Sequence, residues 1–194
     1  MGATSDAEAT IFQVKIGLIG VAKPPVWRRL LVPAEIGLDR FHEVIQAAMG
    51  WTDTHMHVFS TESAEYGLRD SDLGHRDERS ATLVRLLSAP GDRIRYTYDF
   101  GDDWEHEIAL EKILVPEPDQ RYPSCVAGRS ACPPEDCGGV WGYADLREAL
   151  ADPTHEEHEE LMDWLGLETP SEFDPAAFDL DEANEALAFI SAIR

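Results

Sequence analysis

The segment RIRYTYDFGDDWEHEIALEKI, residues 93–113, constrains the fold more than any other part of the chain. Large apolar or aromatic side chains occupy every second position on both sides of a Gly-Asp-Asp centre, which is the pattern of two β-strands that each bury one face. The residues that share this face are Ile94, Tyr96, Tyr98 and Phe100 before the centre, and Trp104, His106, Ile108 and Leu110 after it. The segment therefore predicts a β-hairpin with strands at 93–100 and 104–113.

The same pattern predicts the register of this hairpin. Directly opposed residues of an antiparallel pair lie on one face of the sheet, so even-numbered positions must oppose even-numbered positions. A two-residue loop would break this rule, whereas an odd loop at 101–103 pairs Phe100 with Trp104. It also places Arg93 opposite Glu111. We therefore expect an odd-length loop, with Tyr96 and Ile108 on the same face of the sheet.

The rest of the chain alternates between strand and helix patterns. Period-two runs predict strands at 11–21, 26–32 and 56–59, and apolar residues at helical spacing predict a helix at 38–49 that ends at Gly50. The polar stretch 62–79 is expected to be a loop, followed by a short helix at 82–88 capped by Ser80. Further helices are predicted at 143–151, from Thr154 to Gly166, and from Asp179 onwards, where the pairs Thr154/Glu157 and Asp179/Glu182 match a capping box.

These elements predict an α+β fold, in which helices cover a mostly antiparallel sheet and the C-terminal part is helical. We expect a disordered tail at residues 1–9 and one domain at 10–194. Within it lie a sheet-rich part at 10–116, a cysteine loop at 117–140 and an acidic helical part at 141–194. The cysteine loop is expected to contain neither helix nor strand, because proline and glycine punctuate it.

The charge of the chain excludes some partners. The 194 residues carry a formal net charge of -22, and Lys15, Lys23 and Lys112 are the only lysines. Because affinity for nucleic acid depends on Lys and Arg neutralising phosphates, we expect no direct binding to DNA. The acidic helical part could instead contact a protein partner. No membrane span or export signal is visible, so the chain is expected to be cytoplasmic.

The three cysteines lie in RYPSCVAGRSACPPEDCGG, residues 121–139, at spacing C-x6-C-x4-C. Their odd number and a reducing compartment argue against a disulfide framework. Three thiolates and one imidazole would form a closed tetrahedral zinc site, with His106 as the leading fourth ligand and His57 as the alternative. The metal-free alternative packs the three thiols as small hydrophobic groups. The predicted metal ligands are Cys125, Cys132, Cys137 and His106.

A second group of candidate residues lies in GWTDTHMHVF and DFGDDWEH. Imidazoles and carboxylates there could bind a divalent metal or share acid and base roles. The alternative is that Asp102 and Asp103 only satisfy backbone amides in the hairpin turn. The second motif supplies Asp99, Asp102, Asp103, Glu105 and His106. The residues of the candidate enzyme site are His55, His57, Asp102, Asp103 and His106.

Several motifs in this order resemble those of the plasmid pRiA4b ORF-3-like family: VWRRLLVP, FHEVIQAAMGWTDTHMHVF, YDFGDDWEHEI, CPPEDCGGVWGY and FDPAAFDLDEAN. The resemblance covers essentially residues 10–190 and implies an α+β fold. It transfers no catalytic residue. Some family members travel in insertion elements and carry a resolvase-like label, which the acidic composition of this chain argues against.

Two functions remain open after the sequence analysis. The favoured one is a non-catalytic interaction or accessory module, associated with mobile genetic elements through the family resemblance. The other is a metal-dependent enzyme that uses the histidines and carboxylates near the cysteine loop. The arrangement of these residues in the fold is what distinguishes the two.

Overall fold

The computed structural model describes residues 10–69 and 74–192, the last two by their backbone alone. The predicted tail at 1–9 and part of the predicted loop at 62–79 lie outside the described residues. In the described part of the chain, eight strands form one sheet in the order β5-β4-β3-β6-β7-β1-β2-β8. The strands are β1 (Ile11–Ala22), β2 (Pro25–Pro33), β3 (His57–Ser60), β4 (Glu65–Gly67), β5 (Arg76–Asp77), β6 (Arg93–Tyr98), β7 (Trp104–Leu114) and β8 (Ser124–Arg129).

Neighbouring strands of this sheet are antiparallel except for the short pair β4 and β5. The helices of the described residues are α1 (Leu38–Met49), α2 (Leu83–Leu86), α3 (Gly139–Ala151), α4 (His158–Leu165) and α5 (Leu180–Ala192). The predicted α+β class, with a mostly antiparallel sheet and a helical C-terminal part, is therefore confirmed. No helix among the described residues is both long and apolar enough to span a membrane.

The core lies between one face of the sheet and α1. Period-two alternation places Val14, Ile16 and Ile108 on the inner face, where all three are fully buried. Phe41 and Ile45 of α1 pack into the same cluster, since both recur at helical spacing. Burial of one such side chain contributes about 1.5–3 kcal/mol to stability. The predicted helix at 38–49 has the expected bounds, and Gly50 ends it in the left-handed conformation at φ 89°.

Helix α5 covers the edge strand β8 and packs beside α1. Asn184 makes two hydrogen bonds to the backbone of Cys125: its Oδ1 accepts from the amide at 2.8 Å, and its Nδ2 donates to the carbonyl at 2.9 Å. These bonds satisfy backbone groups that an edge strand would otherwise leave unpaired. Asp179 caps α5 as predicted, with its Oδ1 accepting from the amides of Asp181 and Glu182.

The loop between β6 and β7 has an odd number of residues, as predicted, but the residue pairs across the two strands differ from the predicted register. Tyr98 pairs with Trp104 and Tyr96 with His106, so the loop spans the five residues 99–103 instead of three. Tyr96 and Ile108 share the buried face, which confirms the odd loop length. Strand β6 ends two residues early, at Tyr98, whereas β7 begins at Trp104 as predicted. Both ends of the loop, Asp99 and Asp103, adopt the left-handed conformation, which ends the pairing there.

The longer loop also changes the cross-strand partners outside the core. Arg93 pairs with Ala109, and its guanidinium contacts Glu107, so the predicted position opposite Glu111 is wrong. Glu111 instead forms an ion pair with Arg29, with 2.6 Å between Oε2 and Nε. Both pairs lie on the outer face of the sheet, where the charges remain in contact with water.

Other predicted local features differ from the structure. The cysteine loop contains β8, which pairs with β2 through a bulge, so its expected lack of strand is wrong. Helix α2 has Thr82 and not Ser80 as its N-cap residue. Thr154 bonds to Asp152, and α4 begins only at His158, so the capping box predicted there does not form.

Candidate functional site

A pocket of ≈ 570 Å³ opens beside the first turns of α1, between the 51–56 segment and the start of β3. Its wall carries three histidines and four carboxylates, which are His42, His55, His57, Asp39, Glu43, Asp53 and Glu78. Helical spacing directs His42 inward with Phe41 and Ile45, and the strand pattern directs His57 to the same side. The pocket thus combines residues from a helix, a strand and two loops.

His42 belongs to a closed circuit of hydrogen bonds. Gln46 Nε2 donates to the Tyr96 hydroxyl oxygen at 3.0 Å, so the Tyr96 hydroxyl is free to donate to His42 Nδ1 at 2.7 Å. His42 Nε2–H then donates to Asp53 Oδ1 at 2.7 Å, and the Asp53 amide donates to Gln46 Oε1 at 3.2 Å. Because each donor has an acceptor, the circuit fixes both the ring and its tautomer.

His57 pairs with Glu78, with 2.6 Å between Nε2 and Oε2. Both side chains are buried, at 4% and 5% exposure. The ring of His57 stacks on that of His42, with 3.4 Å between centroids and 6° between planes. Two imidazole–carboxylate pairs therefore lie face to face at the wall of one pocket.

The charge state of His42 follows from this arrangement. Burial, and next the neighbouring His57, lower the pKa of His42, while its bond to Asp53 acts in the opposite direction. His42 is consequently neutral at physiological pH. A neutral imidazole is the form that binds metal ions.

Two groups of three side chains, among the residues described, bring possible metal-ligand atoms within 4.8 Å of one another. The first consists of His42, Asp53 and His57 in the pocket. The second consists of His55, Asp99 and Asp136, which lie in three separate loops. The two groups are neighbours, since Asp53 and His55 belong to one short segment and both line the pocket.

The second half of the cysteine loop docks against this region. Trp51 Nε1 donates to the Pro133 carbonyl at 3.0 Å, and the Thr52 amide donates to Glu135 Oε2 at 3.1 Å. The hydroxyl of Tyr98 also donates to the Glu135 carboxylate. These bonds hold the cysteine loop against the end of β6 and against the 51–56 segment, which contains His55.

The predicted zinc ligands lie on β8, in the cysteine loop and on β7. Cys125 lies on β8, where its thiol donates to the Ala127 carbonyl at 3.4 Å. Burial raises the pKa of both Cys132 and Cys137 to about 12, so these thiols are protonated in the metal-free fold. His106 is fully buried, with Nδ1 3.3 Å from the Tyr96 carbonyl oxygen. None of the four belongs to either group of ligand atoms, and the zinc site stays a prediction.

The second predicted set is only partly brought together. His55 and His57 line the pocket, and His57 as the alternative ligand beside the cysteines stays a prediction. Asp102 accepts the Gly138 amide at 3.1 Å, and Asp103 closes the hairpin turn with φ 55°. Both aspartates thus satisfy or shape the backbone, which is the alternative interpretation given above for them.

The sequence patterns predicted Asp99 as a possible metal ligand but did not predict His42, Asp53, Glu78 or Asp136 as candidate residues. Asp53 lies in GWTDTHMHVF, two residues before His55, and Asp136 lies in CPPEDCGG, directly before Cys137. Their closeness in sequence to a histidine or a cysteine could have indicated both as candidate ligands. Glu78 lies in a polar stretch without periodicity. Its contact with His57 spans 21 positions of the chain, and no local pattern reports such a contact.

Comparisons with known proteins agree with the architecture. The profile of the family described as plasmid pRiA4b ORF-3-like protein matches residues 10–182. An uncharacterized protein from Sinorhizobium fredii (strain NBRC 101917 / NGR234), y4hQ, is 40% identical over 187 residues, covering 95% of this chain and 94% of the relative. The crystal structure of a protein of unknown function from Methanosarcina mazei Go1, MM3350, is similar with a TM-score of 0.79 and 36% identity, over 90% of this chain and 97% of that one.

Proposed function

The chain belongs to the plasmid pRiA4b ORF-3-like family, and we propose that it is a metal-dependent enzyme whose metal ion binds in the pocket beside α1. One observation carries the proposal: His42, His57 and Asp53 place the ligand atoms of two imidazoles and a carboxylate within 4.8 Å of one another at the wall of an open pocket. Because the two rings are stacked and nearly parallel, one of them would turn about its Cβ–Cγ bond to share the ion. The family is uncharacterised, so the proposal depends on the site alone.

The donor set favours a divalent transition metal. Two imidazoles with one or two carboxylates are the usual ligands of zinc, manganese and non-haem iron in enzymes. Burial keeps His42 neutral and thus able to bind. With a metal ion on Nε2, the ring proton of His42 would lie on Nδ1, where the Tyr96 hydroxyl oxygen, 2.7 Å away, could accept it. Tyr96 would therefore orient the imidazole in both states.

Glu78 and the pocket supply what a catalytic site requires beyond its ligands. The Glu78 carboxylate lies 2.6 Å from His57 Nε2 and is buried, so it can complete the metal shell or act as a general base. The pocket volume of ≈ 570 Å³ is typical of sites that hold small molecules. Three protein ligands beside such a space leave a coordination position for water or substrate, as in catalytic zinc sites.

The proposal is tested by metal titration of chelator-treated protein with Zn²⁺ and with Mn²⁺, followed by calorimetry and elemental analysis. Asp53→Asn is the informative variant: Asp53 is 52% exposed and adopts φ 57°, a conformation that asparagine also tolerates, so the fold is expected to persist. We expect Asp53→Asn and His57→Gln to lose at least about tenfold in affinity. His155→Gln, on the surface before α4, is the matched control and should bind as the wild type does.

Unchanged affinity in Asp53→Asn and His57→Gln, with circular dichroism showing intact folds, would contradict the proposal. If metal binding is supported, screening hydrolytic substrates with the loaded wild type and with Glu78→Gln comes next. Loss of turnover in Glu78→Gln with metal retained would identify Glu78 as a base, since glutamine cannot accept a proton.

A non-catalytic interaction module remains the second candidate, because large apolar side chains are exposed on the acidic helical part. Trp141 on α3 is 84% exposed and Phe189 on α5 is 69% exposed. Exposed aromatic residues of this kind are enriched at protein interfaces. Capture of one partner by the wild type but not by Trp141→Ala would favour this function. A link to mobile genetic elements stays a prediction from the family resemblance.

A further inference from the structure

We propose that His55, Asp99 and Asp136 form a second cation site, which joins the cysteine loop to the β6–β7 hairpin. This site is separate from the pocket site above, and it shares no ligand with it. Its three ligands come from the segment before β3, the hairpin loop and the cysteine loop. A cation there would add to the hydrogen bonds that already join these three loops, such as those of Glu135 to Thr52 and Tyr98.

The distances within this group suit coordination of one ion. His55 Nε2 lies 3.1 Å from Asp136 Oδ1 and 3.7 Å from Asp99 Oδ2, and all three ligand atoms lie within 4.8 Å of one another. Two ligands about 2.1 Å from a metal ion are about 3.0 Å apart at a right angle and about 3.4 Å apart at the tetrahedral angle. The shorter separation falls within this interval and the longer one just above it.

The orientation of His55 distinguishes a cation site from an ordinary ion pair. Nε2 is buried and has no hydrogen-bond partner, although a carboxylate oxygen lies 3.1 Å away. A protonated imidazole in an ion pair would point its N–H at that oxygen, because charge-assisted hydrogen bonds are short and aligned. Here Nε2 makes no such bond, although oxygens of Asp136 and Asp99 lie 3.1 and 3.7 Å away. A buried polar atom without a partner is costly, and a metal ion would satisfy it.

The two carboxylate oxygens of Asp99 can have different roles, one in the hairpin loop and one as a metal ligand. Its Oδ1 accepts from the amide of Gly101 at 2.9 Å, which stabilises the hairpin loop. This leaves Oδ2, the oxygen nearer to His55, for a ligand. Asp99 and Asp136 both have φ near 60°, at 57° and 60°, so their positions are set by local turns. The Asp99 carboxylate is therefore held in place before any ion binds.

The charge of the surroundings favours a cation. The chain has a net charge of -22, and Glu135 of the cysteine loop lies beside the group through its bonds to Thr52 and Tyr98. Bringing Asp136 close to Asp99 without a cation opposes like charges, with only His55 between them. A divalent ion would remove this repulsion and hold the loop closed over the hairpin. Cys137 directly follows Asp136 and is partly buried, so an ion that fixes Asp136 would also restrict access to its thiol.

Mn²⁺ is the probe for this site, because it prefers oxygen and imidazole ligands and binds thiols weakly. Its stoichiometry is measured by electron paramagnetic resonance in the wild type, Asp53→Asn and Asp136→Asn. Asparagine tolerates the left-handed conformation at both positions, so both variants keep the backbone while losing a ligand charge. We expect two bound ions in the wild type and one in each variant.

Alkylation of Cys137, followed by peptide mass spectrometry, gives a second readout. At ten times the dissociation constant of Mn²⁺, alkylation that requires opening of the loop slows about tenfold. We expect this in the wild type and in Asp53→Asn, but not in Asp136→Asn. Equal stoichiometry in Asp136→Asn and the wild type, or equal protection of Cys137 in both, would overturn the proposal. One ion in the wild type that only Asp53→Asn removes would also overturn it, while supporting the pocket site.

Discussion

Protonation of His106 is expected to destabilise the fold in mildly acidic solution. His106 lies on β7 among Trp51, Tyr96 and Trp104, with no exposed surface. Burial lowers its pKa from 6.5 to about 4, and its bonds to backbone carbonyls only partly oppose this shift. The native fold therefore excludes the proton that the unfolded chain binds readily below pH 6.5.

The magnitude follows from linkage between protonation and folding. Where the unfolded state binds more protons, stability rises with pH, so this contribution is complete above pH 6.5 and is lost as the pH falls towards 4. Each pKa unit of difference corresponds to about 1.4 kcal/mol, which gives a limit of about 3 kcal/mol for a shift from 6.5 to about 4. Between pH 7.5 and pH 5 the loss amounts to about 2 kcal/mol.

Urea unfolding of the wild type and His106→Leu, in the presence of a chelator, isolates this contribution. Leucine has a similar volume and does not titrate, whereas the remaining carboxylates and histidines are common to both proteins and cancel in the difference. We expect the wild type to lose about 2 kcal/mol relative to the variant between pH 7.5 and pH 5. A difference in unfolding free energy that stays constant within about 0.5 kcal/mol over this range would refute the reasoning.

Three further predictions concern backbone packing, a buried cation and charge. In urea unfolding, Gly139→Ala should be more destabilising than Gly50→Ala by about 2 kcal/mol. Both glycines have a positive φ, but only at Gly139 would an added Cβ clash, 2.3 Å from the backbone oxygen of Asp102. Arg28→Met should cost about 3 kcal/mol, since the buried guanidinium donates to the carbonyls of Ala48 and Ser130 at 2.8 and 3.0 Å; an unchanged melting temperature would contradict this. The chain should bind duplex DNA weakly at physiological salt because its net charge is -22, and tight, steeply salt-dependent binding in an anisotropy titration would show otherwise.

The sequence predicted those features that depend on local periodicity. Helix α1 has its expected bounds because apolar spacing and the left-handed Gly50 act within one short segment. The odd length of the β6–β7 loop was predictable, because Tyr96 and Ile108 are both buried and must lie on the same face of the sheet. The register was not predictable, because it depends on left-handed conformations at Asp99 and Asp103 that no hydrophobic pattern encodes.

The candidate sites were less predictable because their residues meet only through the tertiary fold. In the sequence, His42 cannot be distinguished from other polar residues of a helix. Only the fold shows that β3 places the His57 ring against it, with 3.4 Å between the ring centroids. Strand β8 lacks clean alternation, and it is recognised only by its pairing with β2 and its bonds to Asn184. The cysteines were the most conspicuous feature of the sequence, yet the ligand groups that the described residues form contain none of them.

Aspartate in the left-handed conformation links the turns of this protein to its candidate sites. Asp53, Asp99 and Asp136 all have φ between 57° and 60°, and each belongs to one of the two groups of ligand atoms. Such a conformation costs about 1–2 kcal/mol for a residue with a Cβ, and glycine would avoid the cost. Asparagine and aspartate lower this cost because their side-chain oxygens accept hydrogen bonds from nearby amides, as Asp99 Oδ1 does. Of these two residues, only aspartate also adds a negative charge. If the carboxylates served the turns alone, replacing all three with asparagine would leave both stability and metal binding unchanged; if they are ligands, stability persists and metal binding is lost.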